Sequence, residues 1–168
     1  MKFLVPVDTS TPELAPIEHI EHAVRLGNKV EVLVLNVQPR FDGRVSQFTC
    51  RADRDAFRAE RSRAAIAGVV ERLARNRIPF RATMEIGAPA ERIAAVAEAE
   101  QVDEILIGVR RHSGWLRWLM PSAAQEIAAR TDVPVTVVAR GKESALERYV
   151  IPGVAGLAAI AALLLSVE

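Results

Sequence analysis

The chain has a single cysteine, Cys50, and aromatic residues make up only 5% of its 168 positions. One cysteine excludes an internal disulfide framework and any metal site built from several thiolates, and it fits a reducing compartment. Scarce aromatics argue against a surface that stacks nucleic-acid bases. An excess of one charge is missing too. Lys and Arg number 22 against 21 Asp and Glu, for a net charge of +1, so bulk electrostatics give no reason to expect a nucleic-acid partner. The sequence contains no Gly-x-Gly-x-x-Gly, no Walker loop, no Gly-x-Ser-x-Gly elbow and no metalloprotease motif. His19 and His22 interleave with Glu18 and Glu21, but at helical spacing this reads as a solvated face, and no metal is expected. The opening "MKFLVPVDTS" carries an apolar run too short for a secretory leader, broken at once by Asp8.

What is present is an alternation of short apolar runs and amphipathic stretches, in a chain long enough for one domain with a real core. Residues 2–7 and 30–37 ("VEVLVLNV") are nearly all apolar, as strands buried on both faces are. Residues 79–86, 104–109 and 133–139 read as three further strands. Between them lie helical patterns. The first opens at "TSTPE", with Thr or Ser as cap and Pro12 in its first turn, and turns Leu14, Ile17, Ile20, Ala23 and Val24 inward. Residues 51–77 form a long helix with Phe57, Ile66, Val69, Val70 and Leu73 on its apolar face. Two more follow at "GAPAERIAAVAEAE" and 122–129. Strands alternating with helices predict an α/β domain with a parallel sheet. Such sheets bind ligands at the carboxyl ends of strands, where strand order reverses. Asp8 closes the first strand and Gly108 lies near the end of the fourth.

In this order and spacing, "LVPVDTS", "GAPAERIAAVAEAEQVDEILIGVR" and "VPVTVVAR" resemble a universal stress protein domain over about residues 1–140. The resemblance implies a five-stranded parallel sheet in the order 3-2-1-4-5 with helices on both faces. It also implies dimers that pair through the last strand, here 133–139. Members that bind ATP resemble one another in a loop written Gly-x2-Gly-x9-Gly-[Ser/Thr]. On "GVRRHSGWLRWLMPS" its positions fall on Gly108, Arg111, Pro121 and Ser122. Glycines there let the backbone approach phosphate oxygens and turn its N–H groups toward them. Pro121 has no N–H to give, and Arg111 brings a bulky side chain, so the backbone cradle is broken. Arg110, Arg111 and Arg117 still offer guanidinium groups to an anion. Asp8 matches the family's aspartate at the base or sugar end, and Pro6, Val7 and Val37 are candidates to line that pocket. The ligand this would imply is ATP or AMP.

Residues 150–167, "VIPGVAGLAAIAALLLSV", contain no charged side chain. As a helix these 18 residues would extend about 27 Å, against a hydrocarbon core of about 30 Å. The run is therefore a marginal membrane span, joined to domain 1–142 by a linker at 143–149. Ala155, Ala159, Ala162 and Ser166 form a stripe of small residues that lets membrane helices approach closely. Arg140, Lys142 and Arg148 precede the run, and only Glu168 follows it. The positive-inside rule then keeps the domain on the cytoplasmic side of an inner membrane. Trp115 and Trp118, with Arg117, suit a headgroup layer or a partner surface; packing beneath their own loop is the plainer alternative. The expected function is a membrane-anchored accessory or regulatory module that binds an integral membrane protein without catalysis. The alternatives are a nucleotide sensor and, for the tail, a helix buried in a soluble oligomer.

Overall fold

The computed structural model describes residues 1–8, 14–40, 50–109, 123–139 and 149–151. In chain order these form β1 (Lys2–Val7), α1 (Ala15–Arg25), β2 (Glu31–Gln38), α2 (Arg51–Arg75), β3 (Phe80–Ile86), α3 (Pro89–Ala99), β4 (Glu104–Val109), α4 (Ala123–Ala128), β5 (Val135–Ala139) and β6 (Tyr149–Ile151). The sheet runs β3-β2-β1-β4-β5-β6. Its first five strands are parallel, in the order expected from the sequence.

Side chains alternate across a strand, and the core divides accordingly. Phe3 and Val5 face one way, with Val32, Val34 and Leu106, against Ile17 and Ile20 of α1 and Val69 and Leu73 of α2. Leu4 faces the other way, with Leu33, Leu35, Ile105 and Val135, against Ile93 and Ala97 of α3 and Ile127 of α4. Strands buried on both faces must be apolar throughout, which is why their runs read as continuous rather than alternating. In α3, Ala90, Ile93, Ala94 and Ala97 are buried at helical spacing. Pro89 opens that helix, where its missing N–H costs nothing.

Several helix details depart from expectation. α1 begins at Ala15, with Leu14 as a cap that makes no side-chain hydrogen bond and Pro16 in the first turn. The cap expected within 9–13 lies outside the described residues. Val24 and Phe57, expected inside, are 38% and 48% exposed. Val24 lies in the last turn of α1, and the Phe57 ring carries the Arg61 guanidinium 5.7 Å from its centroid. Cys50 caps α2, its Sγ accepting from the Asp53 N–H at 3.4 Å.

The largest correction lies at the sheet edge. β6 pairs antiparallel with β5, matching Tyr149 to Val137, Val150 to Thr136 and Ile151 to Val135. The sheet therefore has six strands, and the helix expected to open at Val150 is extended there instead. Three causes act together. An edge strand leaves unpaired N–H and C=O groups. Tyr, Val and Ile favour strands. Ile151 precedes Pro152, which steers it to extended backbone. β6 also occupies the β5 edge through which pairing of two copies was expected. Among the described residues no helix is long and apolar enough to cross a membrane; residues 152–168 lie outside them.

Candidate functional site

Strand order reverses between β1 and β4, so the carboxyl ends of these neighbours frame a crevice. The two strands pair at Phe3–Glu104 and Leu4–Ile105. Continued in that register, Val7 comes level with Gly108. On the other side Val7 is matched to Asn36 of β2, which brings Asp8 level with Val37. The fold thus gathers Asp8, Val37 and Gly108, which are far apart in sequence, at one end of the sheet.

The remaining candidates divide. Val37 packs against the cluster under α3, whereas Val7 packs against the cluster under α1 and α2. Pro6 alternates with Val7 and so shares the α3 side with Val37. Asp8 is exposed and Gly108 half-buried. Arg110, Arg111, Trp115, Arg117, Trp118 and Ser122 lie outside the described residues, as do Ala155, Ala159, Ala162 and Ser166.

Sequence reasoning missed the floor of this crevice. Asn36 is 1% exposed and Gln38 5%. The Asn36 Nδ2 donates to the Val7 carbonyl at 2.8 Å, and Gln38 Nε2 donates to Asn36 Oδ1 at 2.6 Å. The Gly87 N–H then donates to the Gln38 carbonyl at 3.0 Å. This chain of amides ties the ends of β1, β2 and β3. It was signalled by two polar residues at alternate places in the otherwise apolar "VLVLNVQ". Gly87 has a φ of +154°, and a Cβ there would lie 2.9 Å from Arg92 Nε and 3.0 Å from its Cγ. The backbone conformation is one that favours glycine, and a larger residue would also have to displace the Arg92 side chain. Arg92 Nε is buried without a hydrogen-bond partner, while its guanidinium reaches the Glu91 carboxylate at 3.8 Å.

The histidine-bearing face of α1 is engaged otherwise. Arg72 of α2 grips Glu21 with two bonds, Nε to Oε1 at 2.6 Å and a terminal nitrogen to Oε2 at 2.9 Å. Hydrogen bonding to Arg72 holds the Glu21 carboxyl below the usual carboxylate range, although burial opposes it. His19 meets the Phe3 ring edge-on, 6.2 Å between centroids. Among the described residues no group of His, Cys, Asp or Glu could hold a metal ion.

The universal stress protein family model matches residues 1–139. The chain belongs to the universal stress protein family. Among solved structures it is similar to the hypothetical protein MJ0577, with TM-score 0.66, 23% identity, 84% of this chain and 97% of that one covered. It is also similar to a universal stress protein family protein from Arabidopsis thaliana solved with AMP bound (TM-score 0.60, 16% identity, coverage 84% and 92%). A third is the universal stress protein from Archaeoglobus fulgidus in complex with dAMP (TM-score 0.57, 18% identity, coverage 82% and 97%). At these identities the likeness establishes the fold. No curated protein sequence matches the chain.

Proposed function

We propose that the protein is a non-catalytic universal stress protein module that binds an adenosine monophosphate at the carboxyl ends of β1 and β4. The observation that carries this reading is the meeting of Asp8, Val37 and Gly108 at the point where strand order reverses. Similar folds solved with AMP and dAMP support it. Asp8 accepts from the ribose or base, Val37 packs against the base, and Gly108 begins the turn toward the phosphate. The loop chemistry favours a monophosphate over a triphosphate. Arg111 and Pro121 replace two phosphate-cradling glycines, so the backbone offers fewer N–H donors along a polyphosphate. Guanidinium side chains from Arg110 and Arg111 supply charge to a single phosphate instead, with Ser122 as a further donor. Among the described residues of the crevice no general base is paired with a nucleophile, and the proposed mechanism is binding rather than turnover. Calorimetry of the full chain with AMP, ADP, ATP and cyclic AMP tests this. AMP should bind more tightly than ATP, and Asp8→Ala should weaken AMP binding at least tenfold. Absence of heat and of a melting shift at millimolar AMP rejects the reading.

A second reading rests on the uncharged run at 150–167. In it the chain is an accessory subunit held at the inner membrane, domain on the cytoplasmic side, with Trp115, Arg117 and Trp118 toward lipid or a membrane-protein partner. It ranks behind the first because β6 takes Val150 and Ile151. That leaves 16 uncharged residues, about 24 Å as a helix against a core of about 30 Å. Recovery of the full chain in the soluble fraction without detergent removes it.

A further inference from the structure

The two edges of the sheet differ. On one side β6 lies along β5. On the other, β3 ends the sheet, and among the described residues it pairs only with β2. One face of β3 is packed: Phe80 joins the cluster under α1 and α2. On the opposite face Arg81, Thr83 and Glu85 stand in line, because alternate residues of a strand share a face. Arg81 and Ala82 are exposed, and residues 83–86 are half-buried. An open edge strand is a template for another chain.

The backbone decides which groups that edge offers. The Pro79 carbonyl accepts from the Val32 N–H, and the Gly87 N–H donates to the Gln38 carbonyl, each at 3.0 Å. Backbone groups alternate in direction along a strand, so the odd-numbered residues of β3 face β2. The N–H and C=O groups of Phe80, Ala82, Met84 and Ile86 therefore point to the open edge. An antiparallel neighbour must match outward residues to outward residues. For a second β3, the two-fold axis then passes through a residue and not between two. Centred on Thr83, it sets Phe80 against Ile86 and Ala82 against Met84, apolar against apolar. It also sets Arg81 against Glu85 twice, and Thr83 against itself, as non-hydrogen-bonded pairs, where side chains come closest. Moved one residue either way, the axis puts Arg81 against Thr83 or Gly87, and Glu85 against Pro79 or Thr83. Only the axis at Thr83 brings the opposite charges of this strand together. Arg81 already meets the Glu100 carboxylate, and a guanidinium has donors for a second one.

We infer that two copies of the chain join β3 to β3, antiparallel about Thr83, and so continue the sheet across a two-fold axis. The partner is a second copy because one strand supplies both members of every complementary pair, as an isologous interface requires. The joint lies at the edge opposite the β5 edge that β6 occupies, and it does not involve the crevice between β1 and β4. A strand pair is a small interface, so the dimer is reversible.

Analytical ultracentrifugation of the full chain, from micromolar to several hundred micromolar, tests the inference with a charge swap. The parent chain should pass from monomer to dimer over that range. Arg81→Glu alone sets like charges against each other at both pairs, and so does Glu85→Arg alone. Each should weaken the dimer at least tenfold. Mixed one to one, the two variants place opposite charges at both pairs again, and should form a mixed dimer within about threefold of the parent affinity. A parent that stays monomeric throughout overturns the inference. A dimer that both swaps leave unchanged overturns it in favour of another surface. Two weakened variants that do not recover on mixing overturn the register about Thr83. If either swapped chain fails to fold, a thiol pair decides without a change of charge. Cys50→Ser removes the native thiol, and Thr83→Cys sets two Cα atoms about 4.5 Å apart across the axis, within reach of a disulfide. Mild oxidation should link that chain into a covalent dimer, while Glu60→Cys on α2 in the same background stays single. Absence of the link at Thr83→Cys, or equal linking at Glu60→Cys, overturns the inference.

Discussion

The two ends of the sheet are fastened by different chemistry. At the amino ends, charges join one element to another: Lys2 to Glu100 at 3.0 Å, Arg81 to the same carboxylate, and Arg72 to Glu21 at 2.6 Å. At the carboxyl ends the joints are neutral and buried: Val7 to Asn36, Asn36 to Gln38, Gln38 to Gly87. The difference has a physical sense. Ion pairs in contact with water hold weakly but tolerate exposure. Buried amides hold only if every partner is present, and they then fix the backbone in one arrangement. Under the proposed binding role, the carboxyl end needs a backbone held in one arrangement, so that Asp8 and Gly108 keep their places beside each other. The amino end, where the joints are part-exposed, uses carboxylates and guanidiniums.

The largest effect should come from the apolar layer on which both ends stand. Leu35 is fully buried between β1 and β3 and faces α3. Leu35→Ala is expected to cost about 3 kcal/mol, from lost transfer energy and the cavity left behind. Urea denaturation would show this as a lower midpoint with unchanged slope. A loss of under about 1 kcal/mol would mean that the helices close over the gap.

Next comes the carboxyl end itself. Asn36→Ala strands the Val7 carbonyl and the Gln38 amide in a buried setting, and should cost about 2 kcal/mol. It should also weaken AMP binding, because Val7 immediately precedes Asp8. Denaturation and calorimetry on one variant separate the two effects. Full stability with weakened binding would make Asn36 a ligand contact rather than a joint.

At the amino end, Glu21→Gln should cost about 1 kcal/mol, discounted for partial exposure of the pair. Its signature is pH dependence. The Glu21 carboxyl titrates below its usual range in the folded chain, first because Arg72 hydrogen-bonds it. Its contribution is therefore fully present above the unfolded value of about 4.5. It is lost as pH falls through the lower folded value. The parent and Glu21→Gln should differ at pH 7 and converge in acid. A constant difference down to pH 2 would show that the cost is steric and not electrostatic.

Much of this contrast was legible in sequence, though unevenly. Apolar runs marked the inner strands β1, β2 and β4, which are largely buried, whereas the edge strand β3, with Arg81, Thr83 and Glu85, has no buried residue. The switch-point pair Asp8 and Gly108 followed from strand order. Asn36 and Gln38 were visible as polar interruptions, but their partners are backbone groups, which no residue letter reports. β6 was hidden for another reason. Three strand-forming residues stood at the head of an uncharged run, and length and hydropathy favoured a helix across all of it. The edge of β5 outweighed that local preference by offering unpaired backbone, and the proline after Ile151 set the limit. Gly87 and Arg92 were illegible because their significance is a close approach, which depends on distance and not on type.

The smallest effect tests whether charge at the amino end matters individually. Glu100 accepts from Arg81 and Lys2, and these bonds, Arg81 first, hold its carboxyl below the usual range. The group is open to water, so solvent screens the attraction that lowers its titration. Glu100→Gln should therefore shift the urea midpoint less than Glu21→Gln at low salt, and the shift should vanish near 1 M NaCl, where the Debye length falls to about 3 Å. The acid convergence seen for Glu21 should be fainter here, with the same sign. A shift as large as that of Glu21→Gln, or one that survives high salt, would mean that Lys2, Glu100 and Arg81 act as one network. The amino end would then share the all-or-none character of the amide chain at the other end, and the contrast between the two would rest on ligand chemistry alone.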